Sequence, residues 1–390
     1  MKYYPYRQRE GDIPNKLLAV QKLKYVFECL PKLEAQQKDA PFSAELIQNI
    51  FEHYCYECKA APIKLINFYN YDDPNNHKLS FRNFQLEDQQ TKALAMVLPY
   101  IHDITEIDLN NNHLTDMCAA ALAIGFFMNP KLRRITVAYN YIRSTFCKTL
   151  AKLIHMKPER ITDINLMGSI MFHDHIDPLI KELVRMNNLT YLNIAGCALT
   201  QHSCRQLSLF IFKCYALRHL DVSHCRIAFQ GTRYIIDALN RNTCIRNFNF
   251  AYNNLSSFTF EFSIKMASIL TRHPCLLHLD ITNTNLKREE IMFIGLSVPT
   301  SKTLLSIHLT AAKLPYYERI FLRAVINARV GYSRKNTTMK AEVVGNKEKN
   351  TVLTMAEGEV QENQMHDFVD RFRIIDEKCA DMDFEITDLL

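Results

Sequence analysis

Glycine is scarce in this sequence, with 9 in 390 residues, roughly 2% against a usual ~7%. That disfavours folds that cradle phosphates on glycine-rich turns. Neither GxGxxG nor GxxxxGK(S/T) occurs, so dinucleotide and P-loop nucleotide sites have no support. Long apolar runs are missing too. The longest, Met117 to Met128, has 12 residues, too few for a bilayer core of ~30 Å. The opening MKYYPYRQRE is charged without an apolar stretch behind it, so no secretory signal is expected. Twelve cysteines are scattered along the chain without secretory context, a pattern that reads as reduced thiols in a cytoplasmic protein rather than as a disulfide framework.

What remains is ordinary for a folded protein: 48% apolar and 23% charged residues. The net charge of +6 hides an asymmetry. Residues 351–390 hold eleven acidic and three basic side chains, a tail of −8 on a body of +14. The body could attract acidic partners, and the tail is one supplied in cis.

Self-similarity organises the chain. The run Ile104, Ile107, Leu109, Asn112, Leu114 returns as Leu132, Ile135, Val137, Asn140, Ile142 and continues at the same spacing from 161, 189, 217, 245, 276 and 304. The steps are 28 or 29 residues with one of 31, and a degenerate copy (Leu79, Phe81, Phe84, Leu86) precedes the first. Eighteen residues into each copy stands an aliphatic residue: Leu94, Leu122, Leu150, Leu179, Leu207, Ile235, Ile294 and Leu322, with Met266 displaced by the longer step. In LxxLxL the alternate side chains point inward and those between them face the open side, because strand side chains alternate with period 2. Strands stack at ~4.8 Å and the helices behind need ~10 Å, so the stack must curve. The Asn position turns the chain inward and offers a side chain to backbone groups the turn would orphan. That ladder reads Asn112, Asn140, Ser169, Cys197, Cys225, Asn253, Thr284, Ala312. Cys197 and Cys225 are expected to be buried and inert.

These motifs resemble the ribonuclease-inhibitor-like leucine-rich repeats, in which each unit is a strand plus a full helix. The resemblance implies an α/β solenoid with a parallel sheet on the concave side and helices on the convex side. The boundaries expected are an N-terminal helical cap region over 1–75, repeats over 76–331, a linker over 332–364 and an acidic amphipathic tail over 365–390.

Outside the repeats, residues 12–62 carry apolar residues at helical spacing, as expected of a cover for a terminal repeat. Within them, Pro41-Phe-Ser-Ala-Glu45-Leu46-Ile47-Gln-Asn-Ile50-Phe51 resembles the PxELxxxIF core of an F-box, which would imply a substrate adaptor of a ubiquitin ligase. The leucine-proline start of that motif is absent. In the tail, Met365, Phe368, Val369, Phe372 and Ile375 resume helical spacing, and residues 365–376 are expected to dock as a cap or on a partner. The terminal Glu385-Ile-Thr-Asp-Leu389-Leu390 matches an acidic dileucine pattern to which no role is given.

No catalytic constellation is recognisable. His53-x-Cys55-x-x-Cys58 has the spacing of half a zinc site but no second half, and His173-Asp174-His175 with Asp177 reads as a polar loop before a helix. No metal, cofactor or small-molecule substrate is expected, and no enzymatic activity. There is no basic run interleaved with aromatics, so no nucleic acid is expected either.

The open face does carry a pattern. Asp108, Thr136, Asn165, Asn193, Asp221, Asn249, Asp280 and His308 form a polar stripe, and beside it stand Arg133, Arg134, Tyr139, Tyr191, Arg218, His219, Tyr252 and His278. Tyr and Arg are enriched at binding hot spots, so those eight are the candidate partner-binding residues. The expected function is a non-catalytic protein-interaction scaffold. The layout, a short array behind a helical segment, is similar to the leucine-rich-repeat subunit of the axonemal nexin–dynein regulatory complex, which would place the chain in a cilium or flagellum within a large cytoskeletal assembly. Ran-type GTPase-activating proteins share the repeat, but their acidic tail adjoins it, whereas a mixed linker intervenes here. A direct ribonuclease inhibitor is a further alternative.

Overall fold

In the computed structural model the described residues are 43–68, 77–101, 103–169, 175–255, 259–310, 314–333, 351–353 and 387–388. The LxxLxL runs form nine three- to five-residue strands: β1 (Lys78–Ser80), β2 (Glu106–Asp108), β3 (Arg134–Thr136), β4 (Asp163–Asn165), β5 (Tyr191–Asn193), β6 (His219–Asp221), β7 (Asn247–Asn249), β8 (His278–Asp280) and β9 (Ser306–Thr310). They pair in sequence order, all parallel. The register never slips: Leu79, Ile107, Ile135, Ile164, Leu192, Leu220, Phe248, Leu279 and Ile307 stand level across the sheet, and all are buried. Thr351–Leu353 (β10) pairs antiparallel with β9 inside the stretch expected to be a linker, and Thr387–Asp388 (β11) pairs with β10.

Each strand is followed by a helix on the convex side: α2 (Asp88–Val97), α3 (Asp116–Met128), α4 (Ser144–Met156), α5 (Asp177–Leu183), α6 (Gln201–Lys213), α7 (Phe229–Arg241), α8 (Thr259–Arg272), α9 (Arg288–Ser297) and α10 (Tyr316–Ser333). The nine second-mark residues, from Leu94 to Leu322 and including Met266, are all at 1% exposure or less and join the strand centres in one continuous core. This is the leucine-rich-repeat solenoid anticipated from the period.

The first helix of the described chain, α1 (Ala44–Cys58), starts at Ser43, whose side chain accepts from Leu46 N, as N-cap serines do. It packs on α2 and buries Ile47, Phe51 and Cys55. Cys55 is therefore a core residue, and His53 pairs with Glu57 at 3.3 Å. The face that resembles the F-box core, Ile47 and Phe51, is thus turned into the solenoid, while Pro41 lies outside the described residues. So do residues 12–42, His173, Asp174, Ala312 and the stripe of 365–376.

Close packing shows where glycine is used. A Cβ on Gly125 of α3 would lie 2.5 Å from the Ala95 carbonyl oxygen of α2, so those two helices touch backbone to backbone.

Candidate functional site: the concave face

Three rows of side chains run along the concave side, one residue per repeat. The first is Lys78, Glu106, Arg134, Asp163, Tyr191, His219, Asn247, His278, Ser306, and the second is Ser80, Asp108, Thr136, Asn165, Asn193, Asp221, Asn249, Asp280, His308. The third occupies the turns after β1 to β8: Asn83, Asn111, Tyr139, Gly168, Gly196, His224, Tyr252 and Asn283, each with φ between 50° and 75°. This is the left-handed region, where only Asn and Gly are at ease, so tyrosine and histidine there are held by their packing.

The second row is mostly structural. Asp108, Asn165, Asn193, Asp221, Asn249 and Asp280 each accept, through Oδ1, a hydrogen bond from the backbone N–H two residues on. These are Asx turns, present at six of the nine steps, and Asp108, Asn193, Asp221 and Asn249 are buried. The polar stripe read from the sequence is thus largely occupied in shaping the turns.

The first row divides in two. Over β1–β4 its charges neutralise one another: Lys78 lies 2.9 Å from Glu106, Arg134 3.2 Å from Glu106 and 3.7 Å from Asp163. Over β5–β9 it holds no Lys or Arg. Tyr191 faces the His219 ring at 5.7 Å between centroids, Asn247 Nδ2 lies 2.6 Å from His219 Nδ1, and His278 Nδ1 lies 2.6 Å from Ser306 Oγ. In the turn row above, His224 and Tyr252 stack at 4.0 Å and 13°. Burial pushes His278 down to about 4, with the neighbouring His308 and His219 adding to it, so it is neutral at pH 7. Burial also lowers His224, opposed by the Asp280 charge. Asp221 goes up to about 6 through burial, opposed by bonds from the Ser223 backbone and hydroxyl.

The eight expected residues therefore separate. Tyr191, His219, His278 and Tyr252 gather over β5–β8. Arg134 is the centre of the ion-paired half. Tyr139 rests on a small apolar cluster of Ala138, Met167 and Ala195, its hydroxyl 3.5 Å from Met167 Sδ, with its ring against Gly168, whose Cβ would be 2.9 Å away. Arg133 and Arg218 precede their strands and turn their guanidinium groups onto backbone carbonyls, Arg133 onto Pro130 and Leu132, Arg218 onto Tyr215, Leu217 and Cys244. They staple the helix-to-strand loops. Asn247 and His224 were not singled out by the sequence, although the 28-residue period places both in rows with the others.

Sequence reading also passed over a ladder three residues before four of the repeats. Asn129 Nδ2 donates to Leu98 O and Ile101 O while its Oδ1 accepts from Lys131 N and Leu132 N, and Asn242 repeats the arrangement with Ile211 O, Cys244 N and Ile245 N. Cys214 and Ser301 occupy equivalent places.

Among the described residues no group of three His, Cys, Asp or Glu could hold a metal ion, and no helix is long and apolar enough to cross a membrane.

Strand, tight turn and convex helix, repeated nine times around one core, define a leucine-rich-repeat solenoid. Two known proteins are similar in sequence over part of their length. Ribonuclease inhibitor of Sus scrofa is 23% identical over 214 residues, 53% of this chain and 45% of that protein. NACHT, LRR and PYD domains-containing protein 13 of Homo sapiens is 22% identical over 209 residues, 52% of this chain and 19% of that protein. The chain thus matches less than half the length of either relative. The solved C-terminal domain of Caenorhabditis elegans tropomodulin is 15% identical with a TM-score of 0.29, over 46% of this chain and 90% of the domain. No protein-family model matches the sequence.

Proposed function

We propose that the chain is a non-catalytic scaffold that holds a protein partner against the concave face of β5–β8. The observation that supports this reading is the division of the first row. One half is closed by its own ion pairs, whereas the other presents half-exposed Tyr191, His219, His278 and Tyr252 on a curved, rigid floor. Aromatic side chains on a preorganised surface lose little entropy on binding. Affinity purification of the full chain beside a Tyr191→Ala, Tyr252→Ala variant tests it. The expected result is a protein recovered with the wild type and depleted at least about tenfold with the variant, the loss of about one hot spot. Equal recovery with both, at equal melting temperature, overturns the concave face as the binding surface.

Within that class, the layout of a short array behind a helical segment supports a structural subunit of a ciliary or axonemal assembly. A tagged chain is then expected to remain with the axoneme after detergent extraction of cilia, and its release with the membrane and matrix fraction contradicts that placement. The adaptor and GTPase-activating alternatives predict, respectively, co-purification with a ubiquitin-ligase core and stimulated single-turnover GTP hydrolysis.

A further inference from the structure

On β7, in the middle of the open half of the concave face, Asn247 is 8% exposed, and among the described residues its Oδ1 has no hydrogen-bond partner. The other end of the same amide is engaged, Nδ2 with His219 Nδ1. Exchanging the two ends of the amide would move the vacancy from an acceptor to a donor without filling it. A buried, unpaired polar atom costs roughly 1–3 kcal/mol, and one on a functional face points to a group that arrives from outside.

The surroundings indicate which group. Asn247 is level with His219 on one side and His278 on the other, and two residues further along those same strands are Asp221 and Asp280. Strand spacing and rise place each aspartate diagonally from Asn247, at about 8 Å. Asp221 is fully engaged, accepting from Ser223 N, Ser223 Oγ and Asn249 Nδ2 at 2.9, 2.7 and 3.1 Å. Asp280 is half-buried and accepts one hydrogen bond, from Thr282 N. Among the described residues neither aspartate has a Lys or Arg partner, in contrast to Glu106 and Asp163 of the other half. The imidazole of His278 is neutral at pH 7, and over β6–β8 this floor carries two carboxylates and no Lys or Arg.

We propose that this floor is a docking site for an arginine side chain of the protein partner, with Asp280 and Asn247 Oδ1 as its acceptors. Arginine fits better than an ammonium because its planar fork offers several N–H donors to two separated acceptors and stacks on flat rings, here those of His219, His278 and the His224–Tyr252 pair. Asn247 Oδ1 lies below the surface, so the incoming donor reaches it as the flanking imidazoles turn about their side-chain torsions. The inference rests on the concave reading above and gives it a chemistry.

The test is a titration of the full chain with N-acetyl-arginine amide, and in parallel with N-acetyl-citrulline amide, which has the same shape without the charge. The readout is the side-chain amide resonances of Asn247 and the imidazole C–H resonances of His219 and His278. Saturable shifts with the arginine probe, absent with citrulline and weakened roughly tenfold by Asp280→Asn, are expected, the size of a lost charged hydrogen bond. Asp280→Asn keeps the oxygen that receives Thr282 N–H, so an unchanged melting temperature verifies that the variant is folded. Equal shifts with both probes, no saturable shift, or indifference to Asp280→Asn overturns the arginine site whatever partner is recovered. Saturable arginine binding without any concave-face partner overturns the scaffold reading alone.

Discussion

Single residues along the turns behave as expected of a ladder, with differences set by their chemistry. Asn140 Nδ2 donates to Leu109, Val137 and Ala138 carbonyls, and its Oδ1 accepts from Asn112 N and Leu114 N. Cys225 has only a thiol to offer, to Ile194 O at 3.2 Å and Ser223 O at 3.3 Å, and there the Leu199 N–H is taken by the Cys225 backbone carbonyl instead. Asn140→Ala therefore strands several buried groups and is expected to cost at least about 3 kcal/mol, whereas Cys225→Ala is expected to cost about 1 kcal/mol. Urea unfolding measures both, and equal costs would contradict the ladder's division of labour. Burial raises the Cys225 thiol well above its ordinary value, and Cys197 is equally buried. Neither should react with alkylating agents until the chain unfolds; rapid labelling of the native chain would show otherwise. The ladder was legible because its residues recur with the period. The partners of Arg133 and Arg218 were not, since the pattern assigns a side chain to a face but not to the carbonyl it finds there.

Two histidines set the acid response. His273 and His278 are both pushed down to about 4, chiefly by burial. Between pH 6.5 and 4 the unfolded chain binds protons that the folded chain refuses, so their contribution is complete above 6.5 and is lost as the pH falls. Asp221, raised to about 6, acts oppositely: between 3.8 and 6 the folded chain holds a proton the unfolded chain has released. With these two imidazoles, and His224 also lowered by burial, against one carboxyl, melting temperature should fall on acidification from pH 6.5 to 4, and His273→Gln with His278→Gln should flatten that fall. An unchanged slope would rule out these imidazoles as its cause.

At the scale of elements, the strand-and-helix unit was the most legible feature, since leucine spacing, the second aliphatic mark and the turn residue all repeat independently and agree. The use of the second row was less so. Period 2 places Asp108 or Asn193 on the open side, but whether such a side chain meets solvent or its own backbone depends on turn geometry that the strand pattern does not encode. Helix contacts follow the same limit: nothing in the sequence around Gly125 announces that α3 rests on the Ala95 backbone. Gly125→Ala forces that contact apart and is expected to cost roughly 1–3 kcal/mol, the usual range for overpacking. Hydrogen exchange should then show lost protection in α2 and α3 and little change beyond α6, because each repeat leans only on its neighbours. Uniform loosening from α2 to α10 would contradict that independence. Leu192→Ala in β5 should likewise cost about 2–5 kcal/mol, with exchange rising first in the repeats around it.

Across the whole molecule, one core runs from Ile47 of α1 to Ile326 of α10, and the composition of the concave face changes midway, from ion-paired charges to rings beside aspartates that, among the described residues, have no Lys or Arg partner. The solenoid supplies curvature and rigidity; in the function proposed above, that change marks where a partner sits. A photoactivatable amino acid placed at Tyr191 on the concave face, and separately at Phe212 on the solvent side of α6, 47% exposed, tests this most directly. Irradiation of the full chain in its native extract should join a protein to position 191 and none to position 212. The same protein captured only through position 212 would contradict the concave-face scaffold.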